Sequence, residues 1–287
     1  MRPRTLLLAL LATLPLVFVA PSSAATIGSP DVAAVQVALL GRALYPGPVD
    51  GLAGPETAKA IKRLQRKNGL PVTGVADPTT LQLLGDTGET LGSRELTVGM
   101  SGFDVAELQF LLAWHGFPNG AFDGKFGAHV DGALQRFRVW AGLPAEGGVD
   151  EATLAALGAP MPSCPITLSW PLDLPVGSPF GPRDSGFHPG IDIPADTGTP
   201  VAAAAAGVVV AAGFQPDGYG KRVVIAHGRG VTSIYAHLSK VEVHVGDQLA
   251  AGDELGLVGE TGEATGPHLH FEVRVRGAAV DPLPALP

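Results

Sequence analysis

His188 and Asp192 stand four residues apart, with Pro189-Gly190-Ile191 between them. Proline and glycine argue against a helix there, so the two side chains converge only if the chain bends at the start of a strand. His268-Leu269-His270 has a different logic. In an extended strand, residues two apart share a face, with their backbones about 6.5 to 7 Å apart. One of these histidines can then bind a metal ion while its neighbour reaches a water on that ion. His237, in Ile234-Tyr235-Ala236-His237-Leu238, is expected on another strand and offers a third imidazole. Imidazole and carboxylate are ordinary zinc ligands, and three protein donors plus water form the open arrangement of a catalytic zinc. Such an ion lowers the pKa of its water from about 15.7 to about 7. No His-Glu-x-x-His helix is present, so imidazoles would have to supply the general base. With a single cysteine, Cys164, an intrachain disulfide and an all-cysteine metal site are both excluded.

The elements that must position these residues are β-strands. From Leu168 onward, runs such as Gly207-Val208-Val209-Val210, Arg222-Val223-Val224-Ile225, Val231 to Tyr235 and Phe271-Glu272-Val273-Arg274-Val275 alternate with glycine-rich turns. They predict a mainly antiparallel β domain over 166–287.

The chain before it is of another kind. Shifted by 73 residues, 31–85 aligns with 104–158 without a gap, and about 20 of the 55 pairs are identical. Asp50-Gly51 matches Asp123-Gly124, and Gly69-Leu70-Pro71 matches Gly142-Leu143-Pro144. In each copy Val32, Val35 and Leu39, or Val105, Leu108 and Leu112, recur at helical spacing behind Asp31 or Asp104, each suited to an N-cap. A second helix is expected after Gly54 or Gly127, ending at Gly69 or Gly142. A short third helix is expected to be capped by Asp77 or Asp150. The fold class is therefore multidomain: two small three-helix modules, at 30–86 and 96–158, then the β domain. Linkers are expected at 86–94 and 159–165.

Two resemblances follow from these residues. Asp50-Gly51-Leu52-Ala53-Gly54-Pro55-Glu56-Thr57 and Gly69-Leu70-Pro71-Val72-Thr73-Gly74-Val75-Ala76-Asp77 resemble the peptidoglycan-binding type 1 domain; the second copy departs from it at Val130 and Glu146. Phe180-Gly181-Pro182-Arg183, His188 with Asp192, Gly198-Thr199-Pro200-Val201, Tyr235-Ala236-His237-Leu238 and Thr265-Gly266-Pro267-His268-Leu269-His270 form an ordered series. It closely resembles the lysostaphin/LytM-type zinc endopeptidases that cut peptidoglycan cross-links. The resemblance implies that His188, Asp192 and His270 bind Zn2+, that His237 and His268 are the catalytic pair, and that peptidoglycan is the partner. Only Asp184-Ser185-Gly186-Phe187 separate Arg183 from His188, shorter than in many relatives, which leaves one wall of the groove open to definition.

The remaining features set the location and the rivals. Arg2 and Arg4, the apolar stretch Leu6 to Ala20 broken by Pro15, and Ala24-Ala25 have the pattern of an export signal over 1–25, too short for the roughly 20-residue span of a bilayer. A secreted, cell-wall-associated protein, acting as a monomer, is expected. The net charge of -8 and 16% charged residues exclude a basic nucleic-acid binder and a disordered acidic chain. A non-catalytic regulator of wall hydrolases is the rival reading, but all five site positions are filled. A lipoyl- or biotinyl-type carrier, suggested by the turns around Val245 to Gly259, fails because no lysine follows Lys240. His227 is expected to order a strand end, and His115, His129 and His244 to be packed or solvated. Arg183 is expected either to orient a loop or to meet substrate.

Overall fold

The computed structural model describes residues 27–287; the expected export signal at 1–25 lies outside the described residues. Six helices come first: α1 (Pro30–Leu40), α2 (Pro55–Lys67), α3 (Pro78–Leu84), α4 (Phe103–Trp114), α5 (Ala128–Trp140) and α6 (Glu151–Leu157). Each of the last three begins 73 residues after its counterpart, 103 against 30, 128 against 55 and 151 against 78, so the sequence repeat is a structural repeat.

Local chemistry explains the boundaries. Asp77 and Asp150 cap α3 and α6, each accepting a hydrogen bond at 2.8 Å, from the backbone N–H of Thr80 and Thr153 respectively. Gly54 and Gly127 precede α2 and α5 as expected. Asp31 and Asp104, in contrast, are not N-caps. Ser29 caps α1, with Pro30 at the first helical position, and Gly102 precedes α4. The fixed φ of Pro30 already suits the first turn, which places the cap at Ser29, two residues upstream of Asp31. Asp104 is instead paired with Arg94, through contacts of 2.7 and 2.9 Å.

The recurring Asp-Gly turns have one buried cause. Gln36 accepts the Gly51 N–H at 2.8 Å and donates to Asp50 Oδ1 at 2.7 Å. Gln109 accepts the Gly124 N–H at 2.8 Å and donates to Asp123 Oδ1 at 3.0 Å. Gly51 and Gly124 have φ of 71° and 68°, where a side chain would be strained. The divergence at Glu146 also has a structural partner. Gln65 donates to Thr73 and Thr80, while its counterpart Arg138 reaches the Pro144 and Gly148 carbonyls and Asp150. The modules share a core in which Ala33, Ala34 and Val37 of α1 meet Ala106, Phe110 and Ala113 of α4.

Twelve strands follow: β1 (Gly181–Arg183), β2 (Gly186–His188), β3 (Ile191–Pro194), β4 (Pro200–Ala202), β5 (Gly207–Gln215), β6 (Gly220–Gly228), β7 (Val231–Ala236), β8 (Lys240–Val241), β9 (Gln248–Leu249), β10 (Glu254–Leu257), β11 (His268–Val275) and β12 (Ala278–Val280). The main sheet runs β12-β11-β7-β6-β5-β9, with β3 also paired to β11; β4-β10-β8 form a second sheet, and β1-β2 stand as a separate hairpin. All these pairings are antiparallel. Ile191 and Ile193 of β3, and Leu269, Phe271 and Val273 of β11, are fully buried and pack with Tyr235 and Leu255 in one core. The alternation leaves His268, His270 and Glu272 on the opposite face of β11.

The helical region is docked on the β domain. The Gly116 carbonyl accepts the Ala279 N–H at 3.0 Å, and Trp140 Nε1 donates to the Val275 carbonyl at 3.2 Å with Arg276 stacked over its ring. Among the described residues no helix is long and apolar enough to cross a membrane.

Candidate metal centre

The register of β11 assembles the centre. His270 stands directly opposite Asp192 of β3 on one side and Ala236 of β7 on the other. His188 ends β2, and the Pro189-Gly190 bend returns the chain into β3, so the four-residue spacing closes through the expected turn rather than a helix. A side chain at Gly190 would strike the Phe271 carbonyl, with its Cβ 2.4 Å from the oxygen, so the bend can lie against β11 only with glycine there. His188 Nε2, Asp192 Oδ1 and His270 Nδ1 converge: His188 to Asp192 is 3.0 Å, His188 to His270 is 3.1 Å and His270 to Asp192 is 2.8 Å. Zinc bonds of about 2.0 to 2.1 Å at tetrahedral angles need donors about 3.3 Å apart. Three donors within about half an ångström of that spacing, two neutral-capable imidazoles and one carboxylate, fit zinc. They are the one group of this kind found among the described residues.

Hydrogen bonds fix which nitrogen each ring presents. His188 Nδ1–H donates to the Pro179 carbonyl at 2.8 Å, leaving Nε2 to the centre. His270 is turned the other way, with Nε2–H donating to Glu272 Oε1 at 3.0 Å. Glu272 is fully buried and is held by Tyr219 Oη and by Arg274, whose Nε lies 2.8 Å from Oε2. This is the carboxylate–histidine arrangement that orients a ligand ring from behind. Spacing alone made Glu272 findable, because it follows His270 by two on the same strand face. Tyr219 comes from the turn between β5 and β6 and had no such signal.

Electrostatics follow the contacts. Burial pushes the Asp192 carboxyl up, but hydrogen bonds from His188 and His270 outweigh it and hold it well below the usual range. Burial pushes His270 down, but Asp192 and Glu272 outweigh it and raise it to about 9. Burial raises Glu272, and the His270 bond and Arg274 charge reverse that and lower it to about 2. Asp192 and Glu272 thus both favour a proton on His270, with which a bound cation would compete.

His237 and His268 flank the centre, their ring centroids 4.7 Å apart. His237 lies one residue beyond β7 rather than within a strand. Its φ of 61° breaks the extended backbone and turns the ring toward His268 and His270. Nδ1–H of His237 donates to the Thr261 carbonyl and that of His268 to the Gly266 carbonyl, both at 2.8 Å, so Nε2 is the nitrogen each ring leaves for the groove. His268 Nε2 lies 3.7 Å from Asp192 Oδ1. Burial, the largest influence, lowers the His237 pKa and favours the neutral base. All five expected residues thus line one groove of about 530 Å³, together with Arg183, Asp217, Tyr219 and Glu263. No module residue is among the described residues lining it. Arg183 Nη1 donates to Asp192 Oδ2 at 3.0 Å, so it orients a candidate ligand at the mouth of the groove. His227 and His115 are tied to the Ala206 and Leu157 carbonyls, outside the groove, and His244 is exposed.

Comparison with known proteins assigns a family to each part of the chain. Residues 186–282 match the family described as "Peptidase family M23", and residues 28–84 and 101–157 each match the family described as "Putative peptidoglycan binding domain". The DD-carboxypeptidase/endopeptidase Mpg of Neisseria meningitidis serogroup B is 44% identical over 114 residues, covering 38% of this chain and 26% of that protein. The peptidoglycan DD-endopeptidase ShyA of Vibrio cholerae is 44% identical over 98 residues, covering 34% of this chain and 23% of that protein. Among solved structures, the catalytic domain of lysostaphin from Staphylococcus simulans is 37% identical, with a TM-score of 0.38, covering 39% of this chain and 91% of that one. The chain spans about a quarter of the length of the curated relatives named here. The β domain, with its His-x-x-x-Asp and His-x-His strands, belongs to peptidase family M23, and it follows two peptidoglycan-binding domains.

Proposed function

We propose that this chain is an exported, zinc-dependent endopeptidase that hydrolyses peptide bonds in the cross-links or stem peptides of peptidoglycan, held at the wall by its two N-terminal modules. The observation that carries the reading is one groove holding three convergent metal donors and two further imidazoles with free Nε2 atoms. In this reading His188, Asp192 and His270 hold the metal and His237 and His268 are the catalytic pair. The modules take 30–86 and 96–158, the hydrolase domain 166–287, and residues 1–25 direct export. The family matches and the printed activities of the relatives support the same substrate class.

Bound at this centre, zinc supplies Lewis acidity toward the scissile carbonyl and toward water. The chain's own residues do the rest. Glu272 and the Pro179 carbonyl hold the two ligand rings in opposite orientations. One imidazole of the pair takes a proton from the attacking water at Nε2, and the Nε2–H so formed donates a hydrogen bond to the developing oxyanion before its proton passes to the leaving amine. The test is mass spectrometry of fragments released from purified sacculi of several cross-link types, with and without a zinc chelator. Chelator-sensitive release of new amino and carboxyl ends is expected and identifies the bond. Binding without release by zinc-loaded protein would overturn the proposal in favour of a wall-binding regulator.

A further inference from the structure

Of the three candidate metal donors, His188 is the one whose strand lies outside the main sheet. Asp192 and His270 sit on β3 and β11, but β2 pairs only with β1, through three residue pairs. A two-stranded hairpin is marginal by itself in water. Arg183 ties it to Asp192 of β3, and further support comes from the helical modules. At its tip, the Asp184 carbonyl accepts the Val49 N–H at 3.1 Å and the Ser185 carbonyl accepts the Phe122 N–H at 2.5 Å. At its base stands Trp114, the last residue of α4. Its ring meets Phe187 edge-on at 5.3 Å and Phe180 at 6.3 Å, and those two rings meet each other at 5.0 Å. Phe187 directly precedes His188. Phe180 directly follows Pro179, whose carbonyl accepts the His188 Nδ1–H. Trp114 therefore packs against both neighbours of the bond that aims His188 Nε2 at the centre.

We propose that Trp114 is a positioning residue for the metal centre: the second module, through this ring, holds the β1-β2 hairpin so that His188 stays aligned with Asp192 and His270. The proposal rests on the reading of His188 as a metal ligand. It gives the module a task inside the hydrolase site besides attachment, and it supplies the buttress for the short Asp184 to Phe187 segment. The indole Nε1 has no hydrogen-bond partner among the described residues, so the ring acts by its shape and area.

The experiment is a zinc competition titration of the full-length mature chain against a chromophoric chelator, on wild type, W114A, W114L, W114F, W140A and H188A. Loss of a group that orients a metal ligand typically weakens metal binding about 10- to 100-fold. W114A and W114L are expected to lose about tenfold, and W114F to recover most of it. W140A removes a contact of the same module with the β domain at Val275 and Arg276, away from the hairpin, and is expected to stay within about twofold of wild type. Wild-type affinity in W114A, or in W114L if W114A does not fold, overturns the proposal. So does an equal loss in W114A and W140A, which would mean general loosening of the module. The metal-site reading fails separately, if wild type binds no zinc or if H188A binds it as wild type does.

Discussion

Among single side chains, the proposed metal donors and the proposed catalytic pair predict different losses. His188→Ala removes a donor and should abolish both zinc retention and cleavage, whereas His268→Ala should keep zinc and lose cleavage; metal analysis beside a sacculus-digestion assay separates them. Retained cleavage in either variant would refute the assignment. Glu272→Gln keeps the shape behind His270 but removes the charge, and should weaken zinc about 10- to 100-fold by chelator competition. An unchanged affinity would show that the Tyr219–Glu272–Arg274 cluster is structural only. Residue type and local spacing revealed His188, Asp192, His268 and His270 as a set, because two of them share a strand face and two are joined by a bend. They did not reveal that the two ligand rings use different nitrogens, since that depends on the Pro179 carbonyl and on Glu272.

Elements are where buried polar groups set the cost of a change. Gln36 is fully buried and holds the Asp50-Gly51 turn, so Gln36→Ala leaves the Gly51 N–H without its acceptor and should cost about 1 to 3 kcal/mol in denaturant unfolding. A change below about 0.5 kcal/mol would contradict the role given to that hub. On the adjoining face of α4, burial first and the Asp31 charge second raise Glu107 to about 7. A carboxyl raised in the folded state favours the protonated form. Its contribution is therefore present below its unfolded pKa of about 4.5 and is lost as pH rises through about 7. Glu107→Gln should flatten the decline of the unfolding midpoint between those limits; an unchanged pH profile would remove Glu107 as its cause. Helical spacing, the repeat and the Asp77 and Asp150 caps were legible in the sequence because they are local. The Asp31 and Asp104 caps were misplaced because Ser29-Pro30 and Gly102 compete for the same boundary, and Asp104 is taken by Arg94.

For the whole molecule, the net charge of -8 argues against simple attraction to anionic wall polymers, so attachment should rest on specific contacts. Retention on purified walls should then change little between low and high salt, beyond the roughly 10 Å screening length reached at 0.1 M. Release by moderate salt would point to an electrostatic hold instead. The sequence by itself determined the two-module-plus-β-domain plan and singled out the histidines and the aspartate that could do chemistry, because period, spacing and side-chain chemistry are carried within a few neighbouring residues. Only the tertiary structure decided how they combine. The register of β11 between β3 and β7 sets Asp192 opposite His270 and brings the end of β7 beside both. The left-handed turn at His237 aims that ring, and Trp114 meets Phe187 across more than seventy residues of chain. Those are contacts between segments far apart in sequence, and they exist only once both cores have closed.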